Sequence, residues 1–231
     1  MTLLYRIYLL VIALPIFIVL TILTAVVAAI GTMLGGERIF SYWPGRIWSR
    51  ATLALMLIPV TVKGQDLLPR DRATVVTPNH TSSLDIFLLY GYSGVRFKWV
   101  MKGSLRKIPF VGWSCEKLGF IFVDNTLAGA THVVKDCESA IERGYHIFMF
   151  PEGSRTLTGS LGRLRKGAFR VAMETGAPIV PAKIIGGYHI LRRRGLFPKW
   201  GRLSLEFFPP IDTTEGQSIE ELMETVRERL A

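Results

Sequence analysis

One feature limits this chain more than any other: a long run without charge. From Ile7 to Gly36 the sequence reads IYLLVIALPIFIVLTILTAVVAAIGTMLGG and holds no Asp, Glu, Lys or Arg. About 20 apolar residues at about 1.5 Å rise each cross about 30 Å of hydrocarbon, so the run is long enough to enter a membrane as a helix. A secretory signal has a shorter apolar core ahead of small residues. Ala28 and Ala29 are small, but the length of the run argues for retention. Pro15 removes one helix hydrogen bond and predicts a kink or division.

A second apolar stretch, residues 51–62, is too short for a normal span and contains Pro59. It follows an aromatic and basic linker with Tyr42, Trp43, Arg46, Trp48 and Arg50, which suit the headgroup layer. Two arrangements fit: one span followed by an interfacial helix, or two helices that dip into one leaflet and return. Arg38, Arg46, Arg50 and Lys63 outweigh Glu37 after the run, which favours the cytoplasmic side of an inner membrane. The expected division is 1–62 for membrane-attachment helices and 63–231 for a catalytic domain.

The later residues read as an ordinary soluble domain. Short β-branched or apolar runs at 73–77, 97–101, 120–123, 146–150, 179–185 and 203–208 predict strands. Segments 83–90, 128–143, 165–174 and 218–230 predict helices. Ser218 and Glu221 have capping-box spacing. Pro181 suggests an edge strand or a bulge. The alternation predicts an α/β fold with a mixed, mostly parallel sheet flanked by helices, preceded by the hydrophobic helical segment. Cys115 and Cys137 are far apart and lack CxxC spacing, so neither a disulfide framework nor a metal site is expected.

Within this pattern, Asn79-His80-Thr81-Ser82-Ser83-Leu84-Asp85 is the most informative stretch. Residues five apart on a regular helix point about 140° away from each other. A direct His80–Asp85 contact therefore requires a break, and one is predicted: His80 ends a strand and turn, and Asp85 falls in the first turn of the next helix. A carboxylate on one ring nitrogen fixes the tautomer and leaves the other nitrogen as a general base. A structural histidine beside a helix-capping aspartate is the plainer alternative.

Phe150-Pro151-Glu152-Gly153-Ser154-Arg155 follows the 146–150 strand, at the edge where α/β folds place ligands. Glu152 can accept from a polyol hydroxyl or anchor an arginine. Gly153 allows a tight turn with exposed N–H groups, and Arg155 can clamp an anionic headgroup. An ordinary Pro/Gly turn explains the segment equally well. Net charge is +10, and the basic residues fall in three groups. One holds Arg96, Lys98, Lys102, Arg106 and Lys107. Another holds Arg155, Arg163, Arg165, Lys166 and Arg170. The third, Arg192, Arg193, Arg194, Lys199 and Arg202, is mixed with Leu191, Leu196, Phe197 and Trp200 and suits anionic lipid.

With both motifs read, the chain resembles the lysophosphatidic acid acyltransferase family over roughly residues 64–210. The first block is the His80–Asp85 stretch. The second runs from Lys102-Gly103-Ser104-Leu105 through Pro109 and Gly112 to Gly119-Phe120-Ile121-Phe122-Val123-Asp124. The third is Phe150–Arg155, and the fourth is Ala177-Pro178-Ile179-Val180-Pro181. The resemblance implies transfer of an acyl group from acyl-CoA or acyl-carrier protein to a lysolipid hydroxyl, with no bound cofactor or metal. His80 and Asp85 would be catalytic, and Glu152, Arg155, Lys102 and Lys166 would bind the acceptor. Gly153 would supply an oxyanion N–H or only the turn. One departure stands out. Family members with phosphate-bearing acceptors usually carry a basic residue after the Asp, where this chain has Asn125. Either Lys102, Arg155 or Lys166 takes over the phosphate, or the acceptor is a lysolipid of the lyso-ornithine type.

Other classes fit less well. A basic membrane scaffold would not require His80 or Glu152. A serine hydrolase would need a G-x-S-x-G elbow, which the sequence lacks. Nucleic acid would explain the charge but not the apolar run.

Overall fold

The computed structural model describes residues 2–123 and 127–231. Its centre is a seven-stranded sheet in the order β1-β7-β6-β2-β5-β3-β4. The strands are β1 (Val60–Lys63), β2 (Val75–Pro78), β3 (Phe97–Lys102), β4 (Ile121–Val123), β5 (His146–Phe148), β6 (Ile179–Ile185) and β7 (Leu203–Phe207). Every neighbouring pair is parallel except β6–β7. The sheet is thus mixed and mostly parallel, as the sequence pattern predicts.

Parallel sheets need cover on both faces, and β2 is buried at every position. One face packs Leu88, Phe97, Trp99 and Phe148 beneath α4 (Trp43–Leu55) and α5 (Leu84–Tyr92). The other packs Ile147 and Ile179 against α7 (Leu127–Glu142), α8 (Gly167–Thr175) and α10 (Ile219–Leu230). The capping box at Ser218 and Glu221 is present. Of the two settings expected for Pro181, the edge is excluded because β6 is an interior strand, and the bulge is present: Ala182 pairs with Phe207 but Ile179 with Ile211, so the partner carries one extra residue across Pro181. The proline sits at the end of the β6–β7 ladder and accepts from the Phe208 N–H at 3.0 Å. Its missing donor therefore falls where the ladder is interrupted, before pairing resumes between Ile179 and Ile211.

The amino-terminal helical stretch comprises α1 (Thr2–Tyr8), α2 (Leu14–Gly31) and α3 (Glu37–Phe40). By length and composition, Leu3–Phe40 is a candidate membrane span. Pro15 does not break it. A π-helical turn at Leu9–Ala13 stands just before the proline, the kind of local adjustment that accommodates a lost helix bond. Gly35 at φ 89° turns the chain, and the Phe40 ring lies where a side chain on Gly31 would stand. The chain then doubles back. Trp48 donates to Thr21 Oγ1 at 2.9 Å, Tyr8 to the Leu55 carbonyl at 2.8 Å and Tyr5 to the Met56 carbonyl at 2.7 Å. The result is an antiparallel helical hairpin. Ala25, Ala28 and Ala29 face inward, while Val19, Leu23 and Val27 are exposed.

The hairpin is joined to the domain rather than hung from it. Phe17 packs on Trp48 and Phe87. Lys98 of β3, fully buried, donates to Glu37 at 2.9 Å and lies 4.2 Å from the centre of the Tyr145 ring. Burial pushes the Lys98 ammonium below its ordinary pKa, and Glu37 opposes that shift. The expected boundary between residues 62 and 63 runs through β1, which pairs with β7. Residues 60–62 therefore belong to the sheet.

A short helix, α6 (Val111–Lys117), links β3 to β4, and another, α9 (Gly187–Ile190), follows β6. Neither is evident from periodicity.

Candidate active site

The parallel strands β2, β5 and β3 end on one edge of the sheet, and the motifs gather there. His80 lies just beyond β2 and Asp85 in the first turn of α5. His80 Nδ1 is 2.9 Å from Asp85 Oδ2. The expected break between strand and helix is what allows this contact across five residues. Asp85 is fully buried, and the His80 side chain keeps 14 % of its exposure. The same Asp85 oxygen accepts the Thr81 N–H at 2.6 Å and the Ser82 N–H at 2.8 Å. With the Nδ1 proton directed at the carboxylate, the lone pair is left on Nε2. Among the described residues, Nε2 has no hydrogen-bond partner.

The imidazole is also fixed from its face and its backbone. Phe150 stacks on it at 3.8 Å between ring centres and 15° between planes. Glu152 Oε1 accepts the backbone N–H of His80 at 2.7 Å, and the Thr156 N–H donates to the His80 carbonyl at 2.8 Å. Asn79 holds the strand end through two bonds with the Ile184 backbone, at 3.0 and 2.6 Å. The two motifs are thus parts of one structure, with the Phe150–Thr156 loop gripping the backbone of His80.

The expected binding residues now separate. Glu152 is buried, and its second oxygen accepts the Gly162 N–H at 2.7 Å. Both of its oxygens hold backbone, so positioning His80 is its visible work. Gly153 sits at φ 67° and gives its N–H to the Phe150 carbonyl at 3.0 Å. That closes the turn and removes Gly153 as an oxyanion donor. The N–H groups of Thr81 and Ser82 at the helix start are likewise spent on Asp85. Arg155 and Lys166 line a hollow of about 670 Å³ together with Arg163, Arg165 and Arg193. Lys166 also pairs with Glu220. Lys102 ends β3 on the same edge but is exposed and is not part of the hollow's lining. Asp124 and Asn125 lie outside the described residues.

A second hollow, about 370 Å³, borders the start of α5. Its walls are apolar and include Leu10, Leu14, Phe17, Leu84, Phe87 and Leu196. The cation-rich hollow touches the loop that holds His80, and the apolar one touches the helix that follows it. The sequence gives no sign of the second hollow. Nor does it mark Gly187. A side-chain carbon there would stand 2.8 Å from Asp85 Oδ1, so α9 approaches the carboxylate as only glycine allows.

An α/β domain with a carboxylate-held histidine on its strand-end edge, a basic hollow against the loop that grips it and an oily one against the helix that follows it, suits chemistry on an amphiphile. A family model described as Acyltransferase matches residues 59–185, more than half of the chain, and the chain belongs to this family. A chloroplastic 1-acyl-sn-glycerol-3-phosphate acyltransferase of Arabidopsis thaliana is 31 % identical over 152 residues, covering 65 % of this chain and 42 % of the relative. An enzyme of the same name from Saccharomyces cerevisiae is 27 % identical over 206 residues, 86 % of this chain and 67 % of its own. The chain spans about half the length of the first curated relatives it matches. The crystal structure of the 1-acyl-sn-glycerophosphate (LPA) acyltransferase PlsC from Thermotoga maritima superposes with a TM-score of 0.83 at 25 % identity, covering 99 % of this chain and 92 % of that one. The four-block resemblance to lysophosphatidic acid acyltransferases therefore holds.

Proposed function

We propose that the protein transfers a fatty acyl group from a thioester to the free hydroxyl of 1-acyl-sn-glycerol-3-phosphate, giving phosphatidic acid. The observation that carries this reading is the His80–Asp85 contact, with Nε2 left free at the strand-end edge. The matched relatives bear the name of the same reaction. His80 Nε2 takes the acceptor's hydroxyl proton as that oxygen attacks the thioester carbonyl. The tetrahedral intermediate collapses, the C–S bond breaks, and the leaving thiolate takes the proton back from the imidazolium. Asp85 orients the ring and offsets its charge.

For the oxyanion we assign the N–H groups of Ser154 and Arg155. Among the described residues they form no intramolecular bond, while those of Gly153 and Thr156 are spent. They follow directly on the turn that grips His80, and two such donors are the usual form of an oxyanion hole. The acceptor phosphate belongs in the basic hollow with Arg155 and Arg163, where forked guanidinium contacts suit its oxygens. An acyl chain fits the apolar hollow beside α5. The donor is acyl-CoA or acyl-carrier protein. The hairpin holds the enzyme to an anionic inner membrane, with the catalytic edge on the cytoplasmic side.

The decisive assay offers purified protein both donors against lysophosphatidate and lyso-ornithine lipid. Phosphatidic acid is the expected product. Product from lyso-ornithine lipid alone would move the acceptor assignment, and no product from any pairing would end the acyl-transfer reading.

A further inference from the structure

We infer that the loop between α9 and β7, residues 191–202, is a second membrane contact that docks on an anionic leaflet beside the hairpin. The inference rests on the membrane reading above and adds a site to it. The loop is built, not frayed: Lys199 N–H closes on the Ile190 carbonyl at 2.8 Å, and Gly195 N–H on the Arg192 carbonyl at 2.9 Å. Its stem is tied to the catalytic corner, because Ser82 Oγ donates to the Leu191 carbonyl at 2.8 Å. Yet its tip is apolar and uncovered. Leu196 is 89 % exposed and Trp200 54 %.

Charge identifies the occupant. From Gly186 to Leu205 there are five Lys or Arg residues and no Asp or Glu. Among the described residues none of the five forms an ion pair. Exposed leucine and tryptophan ringed by cations match a leaflet whose headgroups are negative and whose interior is oily. A carrier protein's acidic face would match the cations but not a protruding leucine. Position supports the same occupant. Arg6 lies 6.0 Å from the centre of the Phe197 ring, so the loop stands against the amino-terminal end of the hairpin. Leu3, Leu4 and Val11 on that end are exposed as well. Loop and hairpin thus form one continuous apolar and basic surface. Leu196 and Phe197 also form a wall of the apolar hollow, so docking would bring its rim to the lipid surface.

The test places a bimane label at Leu196→Cys in the full chain, reconstituted in vesicles carrying a nitroxide on the lipid chain near the headgroup. A control label sits at Val19→Cys on α2. Burial holds the native Cys115 and Cys137 thiols up at about 12, so labelling favours the new site. In vesicles with about one third phosphatidylglycerol, both labels should be quenched. Charge reversal at Arg192, Arg194 and Lys199 should cut quenching at 196 several-fold and leave it unchanged at 19. Quenching at 19 alone would overturn the loop proposal while sparing the hairpin reading. Quenching at neither would overturn both. Equal quenching at 196 in purely zwitterionic vesicles would overturn the anionic assignment. An emission shift driven by acidic carrier protein in detergent, with no quenching in lipid, would hand the loop to a protein partner instead.

Discussion

His80 and His146 stand at opposite ends of neighbouring parallel strands, β2 and β5, and the fold gives them opposite chemistry. His80 follows the end of β2, with a buried carboxylate on one nitrogen and an opening at the other. His146 begins β5. Its Nδ1 meets the Thr74 hydroxyl at 2.8 Å in a closed pocket. Burial, with Arg96 nearby, pushes its pKa down to about 4. Both rings sit among polar partners, but only one has a group that stabilises the charge it would gain. The contrast extends along each edge. At the strand ends, Asp85 holds the His80 ring and Glu152 the His80 backbone. At the strand starts, Lys98 and Glu37 tie the hairpin to the sheet. One edge carries the proposed catalytic pair and the other carries cohesion.

The sharpest way to break that comparison is to remove the first ring. His80→Ala should lower kcat about 10³-fold, within the range for loss of a positioned general base. Its melting temperature should stay within a few degrees of the parent, because the loop bonds run to the His80 backbone. A folded H80A protein with near-parental turnover in the purified assay would sink the base assignment.

The second ring should respond to acid rather than to substrate. An unfolded histidine takes up a proton near its ordinary pKa of 6.5, whereas folded His146 stays neutral down to about 4. Between those values the unfolded state binds the extra proton, so stability falls as pH falls from about 6.5 and levels off near 4. A shift of that size corresponds to about 3 kcal/mol. Thermal unfolding of the parent and of His146→Gln from pH 7 to pH 4 checks this. The variant should show a shallower loss, with activity per folded molecule unchanged at pH 7. Parallel pH curves would show that His146 is not the sensor.

Much of this contrast can be read from sequence. The Ala177–Pro181 block and the alternating runs place β6 and most other strands to within two residues, because each is a short β-branched run between breakers. The His80–Asp85 contact is legible because a strand end must fall between the two residues. Three things are not legible. β1 hides in an apolar stretch that reads as membrane, since a buried strand and an interfacial segment share a composition. The grip of Glu152 on the His80 backbone spans 72 residues, and no local pattern encodes it. The apolar hollow is walled by the π-turn before Pro15, the start of α2, the end of α4, the start of α5 and the 191–198 loop, which packing alone brings together.

Gly187 offers the finest probe of the reactive edge. It opens α9 after Gly186, and a carbon added there would stand 2.6 Å from Thr81 Oγ1, 2.8 Å from Asp85 Oδ1 and 3.1 Å from Ser82 Cβ. The threonine hydroxyl can rotate away. Asp85 has less freedom, since its other oxygen already holds two N–H groups and the His80 ring. Gly187→Ala should therefore displace the carboxylate by a fraction of an ångström and tilt the imidazole with it. Misplacing a base on that scale costs about tenfold in kcat. KM should hold, because the hollows that take the substrates do not include Gly187. Stability alone cannot mimic this pattern, because kcat is taken per folded molecule and the melting curve of G187A reports the folded fraction directly. An unchanged kcat in G187A would mean that Asp85 is held entirely from its own helix turn, with no share for the β6–α9 corner.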